Sequence, residues 1–514
     1  MNNRTLNSSR NFIGASIYKV ITLFLPFVIR TIFIRVIGVE YLGLNNLITS
    51  ILQVLNVTEL GFSTAVVFSM YKPIAEGDNN KISALMALYK KVYLYIGTAI
   101  LIFGLMLIPF LRHLIKGAIP SDINLTIVYV IYLFNTSISY FVFSYKKSLL
   151  IAHQRNDIKS NINSGFILLQ YLFQILVLTI FKNYYLFIIL IPFFTIGNNL
   201  FTAYIVNKRY PQYSSKGKLD KLTIKELRKK IGGLMIFRIA TVSRNSFDSI
   251  FISLYLGLTS VAIYNNYYFI IQTLTGLFGI VTISMSASIG NSIAVESIEK
   301  NYHDFKILNF IYMLISGFST ILLINLFQPF MLIWAGENLM LTNMTMVLIS
   351  LYFYALKMGD IRGIYNDSAG LWWEQRFRTI IEAVCNVFLN WILIKTFGII
   401  GIVFATLITI LIFGFSYSSI ITFKHYFGLD KIKTFFYEHI FYAVVMIITA
   451  SIVYFINTLF IMENIYLDFL SKTIVSILIT LLIYALIFAK SKRLKDSIVY
   501  LKIRFKNIYK KTNK

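Results

Sequence analysis

The chain has 514 residues, of which 57% are hydrophobic and only 14% charged, and its mean hydropathy is +0.71. A soluble core needs far less apolar material, so these values exclude an ordinary soluble globular protein. Lys and Arg number 48 against 22 Asp and Glu, giving a net charge of +26, and a lone cysteine, Cys385, excludes an internal disulfide.

In chain order, stretches apolar enough for spanning helices fall at 11–37, 42–70, 88–111, 125–147, 161–181, 185–207, 231–257, 261–288, 307–335, 342–364, 376–397, 399–423, 436–460 and 468–490. A bilayer core of about 30 Å takes roughly 20 residues of apolar helix. The runs lack the alternation of a membrane β-strand, so helices are the only elements that satisfy their backbone in lipid. Fourteen spans in 514 residues leave about 37 residues for each helix and its connection, so no extramembrane catalytic domain fits. The expected fold class is all-α: a polytopic membrane protein with about 14 transmembrane helices. The first run has no small-residue cleavage site behind it and reads as a retained helix.

The basic residues set the orientation. Thirty-seven of the 48 lie in or beside connections on one side, including nine between Lys208 and Lys230 and ten from Lys490 onward. The opposite side holds only Arg112, Lys116, Lys182 and Lys395. By the positive-inside rule both termini are cytoplasmic. The basic tail carries no stacking or recognition motif for nucleic acid, and anionic lipid headgroups are its better partner, at about 1 kcal/mol per basic residue.

A short internal repeat divides the chain. Ile32-Phe33-Ile34, Gly38 and Leu44-Asn45-Asn46 return as Ile250-Phe251-Ile252, Gly257 and Tyr264-Asn265-Asn266. Matching hairpins six spans apart imply two six-helix lobes repeated in parallel. The expected layout is an N-terminal lobe at 1–210, a basic linker at 211–230, a second lobe at 231–425, two further helices at 426–490 and a basic tail at 491–514. The lobes are expected to enclose a central cavity.

Charges inside spans are few and costly, about 2.5–3.5 kcal/mol each on insertion scales, so they normally face a partner or a wet cavity. Cations concentrate on the first and seventh spans: Lys19 and Arg30, which share a helix face, and Arg238 and Arg244. These spans are equivalent in the repeat, and Arg offers a planar fork for phosphate oxygens. Lys19, Arg30, Arg238 and Arg244 are therefore the candidate residues for an anionic substrate. Glu59, Asp248 and Glu382 are candidates either to hold a coupling cation or to act as structural partners; Arg244 and Asp248 have the four-residue spacing of an ion pair. Asn45, Asn56, Tyr264 and Asn265 are candidate glycan contacts, with hydrogen-bond glue between helices and interfacial anchoring as the alternatives. Glue is the preferred reading for Asn386 and Asn390, which share a stripe with Glu382. No Walker-A sequence is present, and none of the five histidines shows metal-ligand spacing, so neither an enzyme, nor a metal site, nor any cofactor is expected.

The opening Asn7–Gly14, the hairpin Arg35–Asn46 (RVIGVEYLGLNN), the run Glu59–Ala65 (ELGFSTA) and Leu256–Asn266 (LGLTSVAIYNN) resemble the Wzx-type polysaccharide flippases of the MATE-like multidrug/oligosaccharidyl-lipid/polysaccharide exporter superfamily. The resemblance implies two six-helix lobes around a central cavity plus two further helices, alternating access, and residence in the bacterial cytoplasmic (inner) membrane. It implies a substrate as well: an undecaprenyl-diphosphate-linked oligosaccharide, the repeat unit of a capsule, O-antigen or exopolysaccharide. Membrane lipids, a polysaccharide polymerase and other assembly proteins are the implied partners. Related lipid II flippases carry basic residues on the first helix, which Lys19 and Arg30 match in kind. Drug and organic-cation antiporters of the same superfamily often carry a buried acid there, whereas this chain has cations. The other rival, a membrane-embedded polymerase, usually needs a large outer loop, and the longest outer connection here, near Leu111–Asn124, is short.

Overall fold

The structure is a computed structural model that describes residues 18, 21–56, 62–221, 223–225, 227, 242 and 246–512, and every regular element among them is helical. The first helices are α1 (residues 21–36), α2 (Val39–Leu55), α3 (Phe62–Glu76), α4 (Asn79–Leu107), α5 (Leu125–Phe141), α6 (Asn156–Leu176), α7 (Tyr184–Arg209) and α8 (Ser246–Leu256). They are followed by α9 (Leu258–Val295), α10 (Ile298–Trp334), α11 (Asn343–Met358, continued by Asp360–Ser368), α12 (Arg376–Phe397) and α13 (Ile399–Phe427). The last three are α14 (Leu429–Leu459), α15 (Ile465–Phe488) and α16 (Lys492–Thr512).

Short polar side chains start these helices by accepting a hydrogen bond from an otherwise unpaired backbone N–H. Asp78 accepts from Lys81 N at 2.8 Å, Asn183 from Leu186 N at 2.9 Å, and Asn464 from Tyr466 N at 2.9 Å. Among the described residues, ten helices are long and apolar enough to cross a membrane, or eleven if the bent pair Leu125–Phe141 and Ser144–Ala152 is one span. These eleven correspond one for one to the expected spans from 88–111 to 185–207 and from 261–288 to 468–490. The expected spans 11–37, 42–70 and 231–257 each include residues outside the described set.

The side chains are arranged for lipid. On α12, Phe377, Val384, Phe388 and Trp391 are exposed, while Glu382, Asn386 and Asn390 are buried on the opposite face. On α15, Leu470, Ile474, Leu478 and Leu482 are exposed, while Ser476 and Thr480 are buried. Apolar faces outward and polar stripes between helices are what a hydrocarbon solvent selects, because polar groups there must find partners within the protein.

The chain divides into two compact units, Met1–Ala262 and Ile263–Lys514. This boundary falls near the start of α9. Contacts within the first unit hold α8: Ser246 Oγ donates to Gln53 Oε1 of α2 at 3.3 Å, and Lys116 N donates to Ser253 O at 3.0 Å. The two repeat hairpins share a local geometry. Gly38 has φ 125° and Gly257 has φ 91°, each ending one helix and starting the next. The Gly257 N–H donates back to Ile252 O at 3.1 Å, and a Cβ added there would lie 2.9 Å from Lys116 O. Gly257→Ala therefore meets both a left-handed backbone and a carbonyl. It is expected to cost about 1–3 kcal/mol, read as a lower unfolding midpoint of the purified protein.

Within the second unit α10 runs through the centre and packs against α11, α14, α15 and α16. At one end Phe305 of α10 is 5.0 Å from Phe427 and 5.9 Å from Phe435, ring centre to ring centre, closing the core with aromatic contacts.

Candidate functional site

In the first unit, α1 carries Arg30 half-buried, one turn before the fully buried Phe33. Asn45 and Asn56 lie eleven residues apart, three helical turns, and so point the same way. Each meets a tyrosine: Asn45 Oδ1 accepts from the Tyr184 hydroxyl of α7, and Asn56 Oδ1 accepts from the Tyr140 hydroxyl of α5. The Tyr184 ring packs 5.1 Å from Tyr41 and 6.2 Å from Phe33, and the Tyr41 hydroxyl donates to Asp122 Oδ1 at 2.5 Å. On α8 Asp248 is buried, as are Ser246, Ser249 and Ser253. A second seam, which sequence reading missed, joins α6 and α7. Asn198 Nδ2 donates to Asn163 Oδ1 at 3.0 Å, and Thr202 Oγ1 donates to Asn198 Oδ1 at 3.2 Å. Its only sequence signal is the four-residue spacing of Asn198 and Thr202. Lys19, Glu59, Arg238 and Arg244 lie outside the described residues.

In the second unit several charged side chains are buried inside the helices. Glu382 is paired with Arg378 one turn away, Nη1 to Oε2 at 2.5 Å, and both are buried. Arg362 and Arg378, each near the end of its expected span, are both buried within helices. Arg362 sits there because α13 is wound as a π-helix over Ile410–Tyr417. Its guanidinium donates to Phe415 O at 2.7 Å, Ser419 Oγ at 2.8 Å and Gly414 O at 3.0 Å, serving carbonyls that a regular α-helix would pair for itself. Lys357 is ion-paired with Asp360 at 2.7 Å, and Asp360 also accepts from the Tyr312 hydroxyl. His439 is fully buried, its Nδ1–H donating to Phe435 O at 2.9 Å and its Nε2 accepting from the Asn309 amide at 3.4 Å. Asn386 Nδ2 donates to Thr406 Oγ1 of α13 at 3.1 Å, which makes it interhelical glue.

Tyr264 is buried and stacks on Tyr268 with ring centres 5.9 Å apart, while the neighbouring Asn265 is half-buried. Tyr267 is an anchor: its hydroxyl donates to Gln328 Oε1 at 2.5 Å and accepts from Leu341 N at 3.1 Å. A cavity of about 750 Å³ opens between α10, α11 and α14, with Asn325, Gln328, Met346, Leu351, Tyr454 and Asn457 in its wall. Lys472 at its edge is paired with Asp468 at 2.6 Å.

Ten or more described spans, with apolar faces exposed and ion pairs and polar seams buried between helices, define a multi-pass membrane protein. The chain belongs to the polysaccharide biosynthesis protein family, which it matches over residues 8–289. Among solved structures it is similar to a lipid II flippase MurJ in an inward closed conformation, with TM-score 0.67 and 15% identity over 93% of this chain and 98% of that one. It is also similar to a multidrug resistance MATE family transporter of the MOP superfamily in an inward-facing conformation, with TM-score 0.57 and 14% identity over 80% of this chain and 98% of that one. A mutant of the Vibrio cholerae MATE transporter VcmN gives TM-score 0.58 and 14% identity over 83% of this chain and 98% of that one. At these identities the likeness is one of fold. Comparison with curated proteins gives no match.

Proposed function

We propose that this protein is a flippase that carries polyprenyl-diphosphate-linked oligosaccharide repeat units across the bacterial cytoplasmic membrane by alternating access, for cell-surface polysaccharide synthesis. One observation carries the reading: a member of a polysaccharide biosynthesis family has, over nearly its whole length, the fold of a lipid II flippase. The substrate chemistry agrees. A lipid-linked diphosphate has an anionic head and a polar glycan that need a wet, cationic chamber, while its long tail stays in hydrocarbon. Arg30 and Arg244 are the proposed diphosphate ligands, and Lys19 and Arg238 add positive potential. Asn45, Asn56, Tyr264 and Asn265 are proposed to contact the glycan, and the mainly apolar cavity beside α14 is the proposed berth of the tail. An inside-negative potential favours outward movement of the head at about 2.3 kcal/mol per charge per 100 mV, which supports export without a coupled ion.

The deciding experiment follows the lipid-linked glycan in cells lacking the protein. The repeat unit should accumulate on the inner leaflet, and the wild-type chain should restore surface polysaccharide. Transport of cationic dyes without any requirement for a lipid-linked sugar would favour a drug antiporter instead.

The orientation is tested separately. In a Cys385→Ala background, a cysteine at Ser214, which is exposed in the basic linker, should resist an impermeant thiol reagent in intact cells and react once the membrane is opened. Labelling from outside would reverse the assignment of both termini to the cytoplasm.

A further inference from the structure

The second unit has another cavity, at the end where α14, α15 and α16 meet. It measures about 400 Å³ and is walled by Phe310, Tyr437, Phe441, Tyr442, Ile487 and Phe488, with Glu438, Ser491 and Arg493 at its polar side. Phe488 forms a buried floor, its ring 5.5 Å from Phe310, while Tyr437, Phe441 and Ile487 are exposed on the bundle's outer face. The chain turns sharply here. After α15 ends, Ser491 Oγ accepts from Leu494 N at 3.1 Å and starts α16.

The chemistry of this corner has two halves. One is aromatic and aliphatic, suited to an acyl chain. The other is cationic: four of the six residues from Lys490 to Lys495 are basic, and Lys490, Lys492 and Lys495 are exposed. Arg493 uses only part of its guanidinium. Nη2 donates to Glu438, while Nη1 is buried with no hydrogen-bond partner among the described residues. A buried donor left unmade is costly, and a phosphate oxygen is its natural complement, since a guanidinium can hold a carboxylate and a phosphate on different nitrogens.

We propose that this cavity holds one anionic phospholipid, its phosphate on Arg493 and an acyl chain between Phe441, Ile487 and Phe488. The excess of lysines selects an anionic over a zwitterionic headgroup, and the apolar walls select a lipid over free phosphate. The site is distinct from the residues proposed for the transported substrate, and it does not depend on that substrate's identity.

The test uses the purified full-length protein, with phosphatidylglycerol, phosphatidylcholine or inorganic phosphate added to delipidated samples. Lipid retention is read by native mass spectrometry, and the unfolding midpoint is followed in parallel. Wild type should retain phosphatidylglycerol roughly tenfold more tightly than phosphatidylcholine, with a matching rise in midpoint, and inorganic phosphate should do nothing. Glu438→Gln with Arg493→Gln removes both charges of the pair and should abolish the preference. Lys492→Gln with Lys495→Gln, both at exposed positions, should weaken the preference while leaving the lipid-free midpoint unchanged. Equal retention of the two lipids by wild type, an undiminished preference in either double variant, or the full midpoint rise with inorganic phosphate alone would each overturn the assignment.

Discussion

Arg30→Ala and Arg244→Ala are each expected to abolish export of the lipid-linked glycan while leaving membrane insertion intact. A guanidinium in hydrocarbon is expensive, so a helix keeps one where it meets water, a partner or an anionic ligand. Charge-assisted bonds to phosphate are worth roughly 1.5–3 kcal/mol each, so losing a bidentate contact removes roughly a hundredfold or more of substrate affinity. Lys at either position should restore export only in part, since it keeps the charge but lacks the planar fork. The measurement is surface polysaccharide in a strain lacking the native protein, normalised to the amount of variant in the membrane. Full export by the double Ala variant would refute the assignment, as would a substrate-bound structure with both guanidinium groups turned to lipid.

Glu382→Ala should act in another way. Glu382 is buried against Arg378, so removing its carboxylate leaves a cation without its partner inside the bundle. Breaking a buried pair from one side costs about 3–5 kcal/mol, and the variant should accumulate poorly and unfold at lower temperature. Replacing both partners, Arg378→Leu with Glu382→Leu, should recover much of that loss, because neither charge then needs solvation. Protein that does fold should show the wild-type dependence of export on pH and sodium. A changed ion dependence in a well-folded Glu382 variant would make this acid a coupling site.

These two expectations differ in how they can be reached from sequence. Burial of Glu382 follows from its stripe with Asn386 and Asn390, spaced by four, and the ion pair follows from Arg378 four residues earlier. A single helix contains that information. The role of Arg362 was not legible in the same way: its acceptors are Gly414, Phe415 and Ser419, on a helix separated from it by two connections. Nothing in a π-helical stretch of Ile, Phe, Gly and Ser announces that its carbonyls will be served by a distant guanidinium. Asn45 and Asn56 show an intermediate case. Their three-turn spacing foretells a shared face, but only folding brings Tyr184 and Tyr140 to that face.

Membrane residence, the helical class and the position of the described spans were determined by the sequence alone. Hydrocarbon as a solvent imposes a length and a polarity on every helix that crosses it, and both are written in consecutive residues. Basic connections carry the expected orientation for the same local reason. Tertiary structure decided which polar side chains inside the spans meet, and that α8 packs against α2. Periodicity names the face of a helix but not the neighbour that will cover it. That choice rests on contacts between residues tens to hundreds of positions apart, such as Ser246 with Gln53 and Asn309 with His439.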